Sequence, residues 1–534
     1  MYFGLSRYQR RIKVLERWES GTVKVLGMIA ILLGIAMLAV GVYAWIIGDD
    51  STVFLFPCPF VIAAGLFMYL FFSNEKSMSP ALGILLITEI WLMSFLIIAI
   101  PFWLSGMSVI DSLFEAVSAF TTTGATILDK PEDADGSILI WRALVQWMGG
   151  ITVVIIYVVL LPMLGVAGAG FSSNEFAGSD TGGYTTKIGK SAMNFVKVYA
   201  SLTVVEIVIL IILGVSPFNS VCISFSDIPT GGLLPTSDSM AGYSFAVQLT
   251  TMVFMFLGAT NYYLLFHSLV KKNHRSILKS SEFRAMLYWF TFCALIITAI
   301  IVLSDRTAYS FDTLDKVGES LWHAAYAVVA AGTTSGFVIT DYSGWPSVAI
   351  LLLLVVEFIG GMSGSTSGGI KIHRMLALKS YVIAGMNKIL HPGVVANVRV
   401  DGTDVNRSAM NSAISTVFLF IIGIFVGLAV FLIFEQDATL NVAFGTVIGA
   451  ITNSGVCSSV GFDTFASYSY LGVPAKALMC VLMWLGRMEM VMAVIMLTRN
   501  FWSDVRLSAD FRSRLRHQQK IDKASRWHGD RKKE

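Results

Sequence analysis

The stretch TTTGATIL at Thr121–Leu128 decides the fold of this chain, because sequences of the same kind end three further apolar segments. The others are PTGGLL at Pro229–Leu234, TTSGFV at Thr333–Val338 and TNSGVC at Thr452–Cys457. Each one ends a short apolar helical pattern that lies between two longer apolar segments. Self-similarity at a regular period indicates a repeat architecture. The alignment pairs four glycines, Gly124, Gly232, Gly336 and Gly455.

The composition of the 534 residues indicates a protein embedded in a lipid bilayer. Only 14% of the residues are charged and 55% are hydrophobic, whereas roughly 25% are charged in soluble globular proteins. So few charges cannot cover a soluble fold, and so apolar a chain is not disordered. The five cysteines form no C-x-x-C pair, which argues against a disulfide framework or a zinc site. The composition therefore predicts an all-α polytopic membrane protein.

Apolar segments long enough to span the membrane are the next feature. A spanning helix needs about 20 apolar residues. The sequence predicts ten such spans: Val25–Ile47, Val53–Phe72, Leu82–Leu104, Ala143–Leu164, Val198–Val215, Tyr243–Leu265, Ala285–Leu303, Val348–Ile370, Ala409–Phe434 and Ala477–Leu497. An even number of spans puts both termini on the same side.

The distribution of basic residues predicts the orientation of these spans. Lys and Arg are concentrated before Val25 and in the segments Lys271–Arg284, Lys371–Arg407 and Arg499–Glu534. With ten spans, all four basic segments fall on one face, and positive charge marks the cytoplasmic face. The N-terminus has no cleavage pattern of a signal peptide. We therefore expect a multi-pass membrane protein with both termini in the cytoplasm.

Four shorter apolar segments do not fit as spans. Irregular backbone at membrane depth is tolerated only where it is buried in protein or lines a water-filled cavity. We therefore expect four re-entrant pore loops, at Leu113–Thr126, Val221–Leu234, Leu321–Ile339 and Leu440–Val456.

A second repeated mark supports the same four units. The span after each loop carries glycine, in Met148–Gly150, Leu257–Ala259, Ile359–Gly361 and Leu485–Arg487. The alternative is an accidental spacing of glycine-rich helices. The repeat predicts four pseudo-symmetric span–loop–span units around one pore.

The predicted domains are a basic cytoplasmic N-terminus (1–24), a two-helix unit (25–77), pore repeats 1 to 4 (78–168, 169–268, 269–375 and 407–499), a cytoplasmic connection (376–406) and a basic tail (500–534).

The repeated loops have the composition of an ion filter. Four loops around one axis can point backbone carbonyls inward and replace the hydration shell of a monovalent cation. Glycine suits such a ring because it reaches positive φ without steric cost. The short helix before each loop directs its negative carbonyl end at the pore, and Ser108 with Asp111 resembles a capping box that starts the first of these helices. For Thr121–Thr123, helix capping or hydrogen bonding between helices is the alternative.

The segment Gly360–Gly369 interrupts the predicted span Val348–Ile370. Five of its ten residues are glycine, and each costs about 1 kcal/mol relative to alanine in a helix. We interpret it as a loop that projects into the pore below the third filter loop. The alternative is a cytoplasmic turn that ends a short helix.

Arg487 replaces the second glycine of the repeated mark in the fourth unit. An arginine within a span costs at least roughly 2.5–3.5 kcal/mol, so it must face water or a partner. A positive charge in the pore would limit the passage of cations. The alternative is a structural ion pair with Glu357 or Glu206.

These motifs resemble the superfamily of Trk, Ktr and HKT potassium transporters, and within it the membrane subunit of bacterial Trk systems. TTTGATIL at Thr121–Leu128, GGMSGSTSGGIK at Gly360–Lys371 and LGRMEM at Leu485–Met490 carry the resemblance, which covers nearly the whole chain. The second loop departs from the family pattern at Pro229 and Leu233.

The resemblance implies a role for each motif. The transported potassium ion would be bound by the backbone at Gly124, Gly232, Gly336 and Gly455. The selectivity filter would consist of Thr122, Thr123, Gly124, Thr230, Gly231, Gly232, Thr334, Ser335, Gly336, Asn453, Ser454 and Gly455. The gating loop would contain Gly360, Gly361, Gly364, Ser365, Gly368, Gly369 and Lys371, with Arg487 as the charge barrier.

The resemblance also implies partners: a homodimer in membrane lipid and a cytosolic regulatory subunit with nucleotide-binding domains. We expect potassium as the transported substrate, no organic cofactor in this chain and no nucleic acid. Nothing in the sequence resembles the catalytic groups of an enzyme. The main alternative is a secondary transporter that couples potassium import to protons or sodium through Glu206 or Glu357.

Overall fold

The computed structural model describes residues 22–72, 80–156, 184–304, 314–391, 398–400, 403–405, 407–455 and 467–506. This part of the chain is almost entirely helical. Its helices are α1 (Thr22–Ile47), α2 (Thr52–Leu55), α3 (Cys58–Phe71), α4 (Pro80–Leu104), α5 (Val109–Phe120), α6 (Gly136–Ile155), α7 (Tyr184–Ile212), α8 (Pro217–Asp227), α9 (Phe245–Gly258), α10 (Tyr262–Leu269), α11 (Arg275–Lys279), α12 (Ser281–Leu303), α13 (Leu314–Gly332), α14 (Ser347–Ile359), α15 (Ile372–Leu390), α16 (Arg407–Phe434), α17 (Leu440–Thr452), α18 (Val473–Met488) and α19 (Met490–Met496).

Four helical units follow an N-terminal pair. The pair consists of α1 and of the segment Thr52–Phe71, which contains α2 and α3 and counts as one span. The units are α4–α5–α6, α7–α8–α9–α10, α12–α13–α14 and α16–α17–α18–α19. The second helix of each unit ends in one of the four repeated sequences, which we call loop 1 (Thr121–Leu128), loop 2 (Pro229–Leu234), loop 3 (Thr333–Val338) and loop 4 (Thr452–Gly455).

The described residues contain seven helical segments that are long and apolar enough to cross a membrane. Two bent helix pairs pass the same test, α9 with α10 and α18 with α19. Together with the shorter apolar helix α14, these elements correspond to the ten predicted spans. The prediction of an all-α polytopic fold is confirmed.

Two predicted spans bend sharply, and a third ends early. Tyr243–Leu265 bends by 109° between α9 and α10, and Ala477–Leu497 bends by 106° between α18 and α19. At the first bend, Asn261 Oδ1 accepts a hydrogen bond of 2.8 Å from the amide of Tyr263 and so starts a new helix. At the second bend, Glu489 has a φ of +66°, which an α-helix cannot continue through. The third span ends at Ile359 because Gly360 has a φ of +74°.

The N-terminal pair packs through small residues. A Cβ on Gly27 of α1 would lie 2.7 Å from the carbonyl oxygen of Gly65 on α3. Glycine therefore lets the two backbones approach closely, as in other membrane helix pairs. The pair lies against the first unit, where α1 packs on α4 and α6.

Capping residues set where the helices before loops 1 and 2 begin. Ser108 Oγ accepts a hydrogen bond from the amide of Asp111 at 3.2 Å, and it donates one to the Asp111 carboxylate at 2.7 Å. This confirms the predicted cap. Ser216 likewise accepts a hydrogen bond from the amide of Asn219 at the start of α8.

Two features depart from the predicted arrangement. The helix before loop 3 begins at Leu314, earlier than the predicted Leu321, and the connection between repeats 3 and 4 contains a two-residue hairpin. Its strands β1 (Arg399–Val400) and β2 (Thr403–Asp404) are antiparallel. Residues 1–21 and 507–534, most of the two predicted basic termini, lie outside the described residues.

Candidate functional site

The four loops meet at one place in the fold. A Cβ on Gly124 would lie 2.1 Å from the carbonyl oxygen of Gly231, and one on Gly232 would lie 2.6 Å from that of Ser335. A Cβ on Gly455 would lie 2.2 Å from the amide nitrogen of Ala125. Loop 1 therefore contacts loops 2 and 4, and loop 2 contacts loop 3. At these glycines a larger residue would separate the loops.

The backbone conformation at the aligned glycine repeats in three of the four loops. Gly124, Gly232 and Gly336 have φ angles of +87°, +91° and +72°. Gly455 lies outside the left-handed region, so the expectation that positive φ explains all four glycines is wrong for loop 4. There, glycine is required by the close approach of loop 1. The residues two positions earlier share a positive φ in every loop: Thr122, Thr230, Thr334 and Asn453.

Sequence analysis missed these four left-handed residues, because threonine rarely adopts this conformation. A threonine or asparagine two positions before each glycine was the available signal. Turning the chain at this position reverses its direction immediately after the helix. The loop then runs back along the helix end instead of continuing across the membrane.

The second repeated mark has a packing explanation. A Cβ on Gly149 of α6 would lie 2.1 Å from the carbonyl oxygen of Phe120. The corresponding distances are 2.7 Å from Gly258 to Ile228 and 2.0 Å from Gly486 to Ile451. In units 1, 2 and 4, glycine thus lets the following span lie directly against the end of the helix that precedes the loop. In unit 3, a Cβ on Gly360 would instead lie 2.3 Å from the carbonyl oxygen of Gly368.

Side-chain hydrogen bonds fix the loops to one another and to their helices. Asn453 Nδ2 donates to Thr123 Oγ1 at 3.0 Å, which joins loop 4 to loop 1. The hydroxyls of Thr121 and Thr123 lie 2.7 Å apart. Thr121 Oγ1 also donates to the carbonyl of Val117, so this residue makes the capping contact that was the alternative for it. Thr123 makes an inter-loop contact instead.

A buried ion pair stands behind loop 1. Arg142 Nε lies 3.3 Å from a carboxylate oxygen of Glu115, and both side chains are almost fully buried. The other carboxylate oxygen accepts hydrogen bonds from Thr126 Oγ1 (2.5 Å) and the Ile127 amide (2.7 Å). The pair therefore anchors the end of loop 1. Sequence analysis missed it, although a glutamate in a short apolar helix and an arginine in the next span were visible.

The segment Gly360–Lys371, called the central segment below, lies against three of the loops. Thr366 Oγ1 lies 3.0 Å from the carbonyl oxygens of both Ile228 and Gly258. The Gly368 amide donates to Thr334 Oγ1 at 2.7 Å, and the Gly369 amide donates to the carbonyl of Thr452 at 3.0 Å.

The central segment is thus buried against the helix ends of units 2, 3 and 4, whereas a surface turn would lie in water. Gly360, Gly364 and Gly369 have positive φ, which explains part of its glycine content. Gly368 needs no special φ, but a Cβ there would lie 1.8 Å from the carbonyl oxygen of Thr452. Lys371 bonds back to Ser367.

Arg487 joins the central segment to loop 1. Its guanidinium donates hydrogen bonds to Thr122 Oγ1 at 2.5 Å and to the carbonyl of Thr366 at 2.7 Å. Its side chain is only 3% exposed. The carboxylates considered as alternative partners make other contacts: Glu357 accepts a hydrogen bond from Thr452 Oγ1 at 2.9 Å, and Glu206 lies against Asp227.

Where the loops meet, the close approaches between them involve mainly backbone carbonyl and amide groups. The described residues contain no group of three or more His, Cys, Asp or Glu side chains that could hold a metal ion.

Comparison with known proteins supports transport and not catalysis. The profile of the TrkH family, described as "Cation transport protein", matches residues 75–504. The chain belongs to the TrkH family of cation transport proteins. The resemblance seen in the sequence is therefore confirmed, and so is the expectation that the chain is not an enzyme.

Individual TrkH-family relatives extend the match over nearly the whole chain. The chain is 29% identical over 462 residues to the "Trk system potassium uptake protein TrkG" of Escherichia coli K12, covering 85% of this chain and 92% of the relative. It is also 29% identical over 498 residues to the "Trk system potassium uptake protein TrkH" of Vibrio parahaemolyticus, covering 90% and 98%.

The fold of the TrkH-family chain agrees with a solved structure. It superposes on the crystal structure of the potassium transporter TrkH from Vibrio parahaemolyticus with a TM-score of 0.80 and 25% identity. The superposition covers 90% of this chain and 99% of the other. The all-helical, multi-pass membrane architecture is therefore shared.

Proposed function

We propose that this TrkH-family protein takes up potassium through the place where its four loops meet. The observation that carries the proposal is the contact among the four loops, each turned by a left-handed residue two positions before its glycine. Potassium is the ion named for the relatives in Escherichia coli and Vibrio parahaemolyticus. The ion would be coordinated by the backbone at Gly124, Gly232, Gly336 and Gly455.

The neighbouring residues form the filter in this proposal. Threonine, serine and asparagine side chains beside the glycines hold the carbonyl ring in place through their hydrogen bonds, as Asn453 does with Thr123. The proposed filter consists of Thr122, Thr123, Gly124, Thr230, Gly231, Gly232, Thr334, Ser335, Gly336, Asn453, Ser454 and Gly455.

The central segment acts as the gate in this proposal. It is bonded to helix ends in three units, so it must break several hydrogen bonds to move out of the path of the ion. Arg487 contacts both this segment and loop 1 and places a positive charge where a cation would pass. The gating residues are Gly360, Gly361, Gly364, Ser365, Gly368, Gly369 and Lys371.

The gate continues directly into α15, which gives a route for control from the cytoplasm. Arg374 on α15 pairs with Glu489 at the bend between α18 and α19, at 2.5 Å. A cytosolic regulatory subunit with nucleotide-binding domains, acting on the face that carries α15, could move the gate through this connection. A homodimer of membrane subunits, and an orientation with both termini in the cytoplasm of a bacterial inner membrane, belong to the same proposal.

Ion flux into liposomes tests the proposal. The purified protein is reconstituted under potassium or sodium gradients, with and without a proton gradient. Gly336→Ser and Gly124→Ala are compared with Gly385→Ala, an exposed glycine of α15 at which a Cβ would meet nothing within 4 Å. We expect the two loop variants to lose potassium-over-sodium preference and the control to keep it.

Unchanged preference in both loop variants would contradict the proposed filter. A flux that follows the proton gradient in place of the potassium gradient would favour the coupled transporter instead. Melting temperatures of the detergent-solubilised variants separate lost selectivity from lost folding.

A further inference from the structure

Two acidic side chains contact each other behind loop 2. Glu206 lies in the C-terminal part of the membrane helix α7, and Asp227 is the last residue of α8. Both residues are fully buried, the two helices pack against each other, and each carboxyl group lies close enough to the other to affect its charge. None of the four carboxyl oxygens has a hydrogen-bond partner among the described residues. No arginine, lysine or histidine of the described residues forms an ion pair with either one.

Glu115, on the helix before loop 1, shows how this protein stabilises a buried carboxylate. It is matched by Arg142 and accepts hydrogen bonds from the Ile127 amide and the Thr126 hydroxyl. Those donors replace the water that the ionised group loses. Glu206 and Asp227 have no comparable set, so the environment that would stabilise two negative charges is absent from the described residues around them.

Elementary electrostatics decides the charge of such a pair. Two carboxylates in contact repel each other strongly once water is excluded, and burial alone also disfavours ionisation. Asp227 additionally stands at the C-terminal end of α8, where the helix dipole is negative. A proton between the two oxygens removes the repulsion and supplies the missing donor.

We propose that Glu206 and Asp227 form a proton-binding site behind loop 2, and that the bound proton keeps the end of α8 in contact with the central segment. The proton is shared by the pair, so its titration belongs to both groups together. This site lies outside the row of backbone groups proposed to bind potassium.

A short path of contacts connects the pair to the gate. Tyr262 on α10 is fully buried and feels the charge of both carboxyl groups. Its amide donates to the carbonyl of Gly364 in the central segment at 3.2 Å. Thr366 in turn bonds to the carbonyl of Ile228, the residue that follows Asp227. If both carboxyl groups were ionised, their repulsion would disturb the contacts that Tyr262 and Ile228 make with the central segment.

The helices packed around the pair carry few other ionisable groups. Helix α9 has none in its sequence, and α6 has only Arg142, which acts on Cys222 of α8. Arg487 acts on Tyr199 of α7. Helix α7 contributes Tyr199, α8 contributes Cys222 and α10 contributes Tyr262, whereas His267 lies in the last turn of α10. Phenols and thiols lose their protons only at alkaline pH, so carboxyl chemistry dominates here.

Infrared spectroscopy of the full-length protein in lipid vesicles tests the proton directly. Spectra of the wild type are compared with Glu206→Gln and Asp227→Asn at neutral pH. We expect each variant to lose a carboxylic acid C=O band that the wild type shows. Asp404→Asn, which removes an exposed carboxylate paired with Arg399, should lose a carboxylate band instead.

Two results would overturn the proton site. The absence of any carboxylic acid band assigned to these residues would mean that both groups are ionised. A band that disappears when potassium or sodium is added would mean that the pair binds a metal cation in place of the proton.

Flux measurements test the connection to the gate, and this step rests on the proposed function. The bound proton is lost as pH rises, which weakens the contact that holds the gate, so wild-type flux should rise about tenfold per pH unit up to the midpoint of the pair. Asp227→Asn cannot gain the second negative charge, so its ratio of alkaline to neutral flux should fall towards one. An equal rise in both proteins would overturn the connection. If the wild type shows no cation flux while the infrared band is present, the proposed function fails and the proton site stands.

Discussion

The guanidinium of Arg487 donates a hydrogen bond of 2.5 Å to the hydroxyl of Thr122, so the last unit of the chain reaches the turn of the first loop. The same guanidinium holds the carbonyl of Thr366 in the central segment. The buried, positively charged side chain of Arg487 therefore contacts both the proposed filter and the proposed gate. This relationship depends on the bend after Met488, which ends α18 directly behind Arg487.

Replacing Arg487 with glutamine should increase the potassium flux through the protein. The variant keeps hydrogen-bond donors but removes the positive charge that opposes a passing cation. We expect potassium flux without a regulator to rise about tenfold, which corresponds to about 1.4 kcal/mol less barrier. Liposome flux measures it, with Arg399→Gln as the control because Arg399 is exposed and pairs with Asp404. Wild-type flux in Arg487→Gln would contradict a barrier role.

Breaking the buried ion pair between Arg142 and Glu115 should lower the free energy of unfolding far more than breaking an exposed ion pair. Arg142→Met leaves Glu115 buried without its cation, and such a change costs about 3–5 kcal/mol of unfolding free energy. Arg399→Met, at an exposed pair, should cost at most about 1 kcal/mol. Thermal unfolding of the detergent-solubilised proteins compares them. The double variant Glu115→Gln/Arg142→Met should recover part of the loss, and equal melting temperatures in all variants would refute the anchoring role.

Gly149→Ala should separate α6 from the end of α5. The added Cβ would lie 2.1 Å from the carbonyl oxygen of Phe120, and overpacking of this kind costs about 1–3 kcal/mol. We expect a lower melting temperature together with weaker potassium preference. Gly318→Ala is the matched control, because this helical glycine of α13 has nothing within 4 Å of its Cβ position. A neutral Gly149→Ala would show that the glycine is not needed for this contact.

The repeat could be read from the sequence because its signals are local. Glycine at corresponding positions, such as Gly124 and Gly232, marks both the loops and the close approach between them. The number of apolar segments and the cap at Ser108 were likewise predictable, since periodicity and capping depend on neighbouring residues.

The rest of the site depends on contacts between distant parts of the chain. The bends at Asn261 and Glu489 lie within stretches that are apolar overall, so hydropathy alone predicts straight spans there. The left-handed conformation of Thr122 is imposed by surrounding loops and not by its own preference. The pairing of Glu206 with Asp227 across two helices could not be seen, because each residue alone is only one acid in an apolar segment.

The hydrogen bond between Asn453 and Thr123 joins residues 330 positions apart, which has a consequence for biosynthesis. A ribosome delivers the first loop to the membrane long before the last, so loop 1 waits without the neighbour that packs on it. A nascent or truncated chain therefore lacks a complete ring. Until the fourth unit is inserted, the Thr123 hydroxyl therefore lacks the Asn453 amide that joins loop 4 to it, so the junction of the four loops is completed only by the last part of the chain.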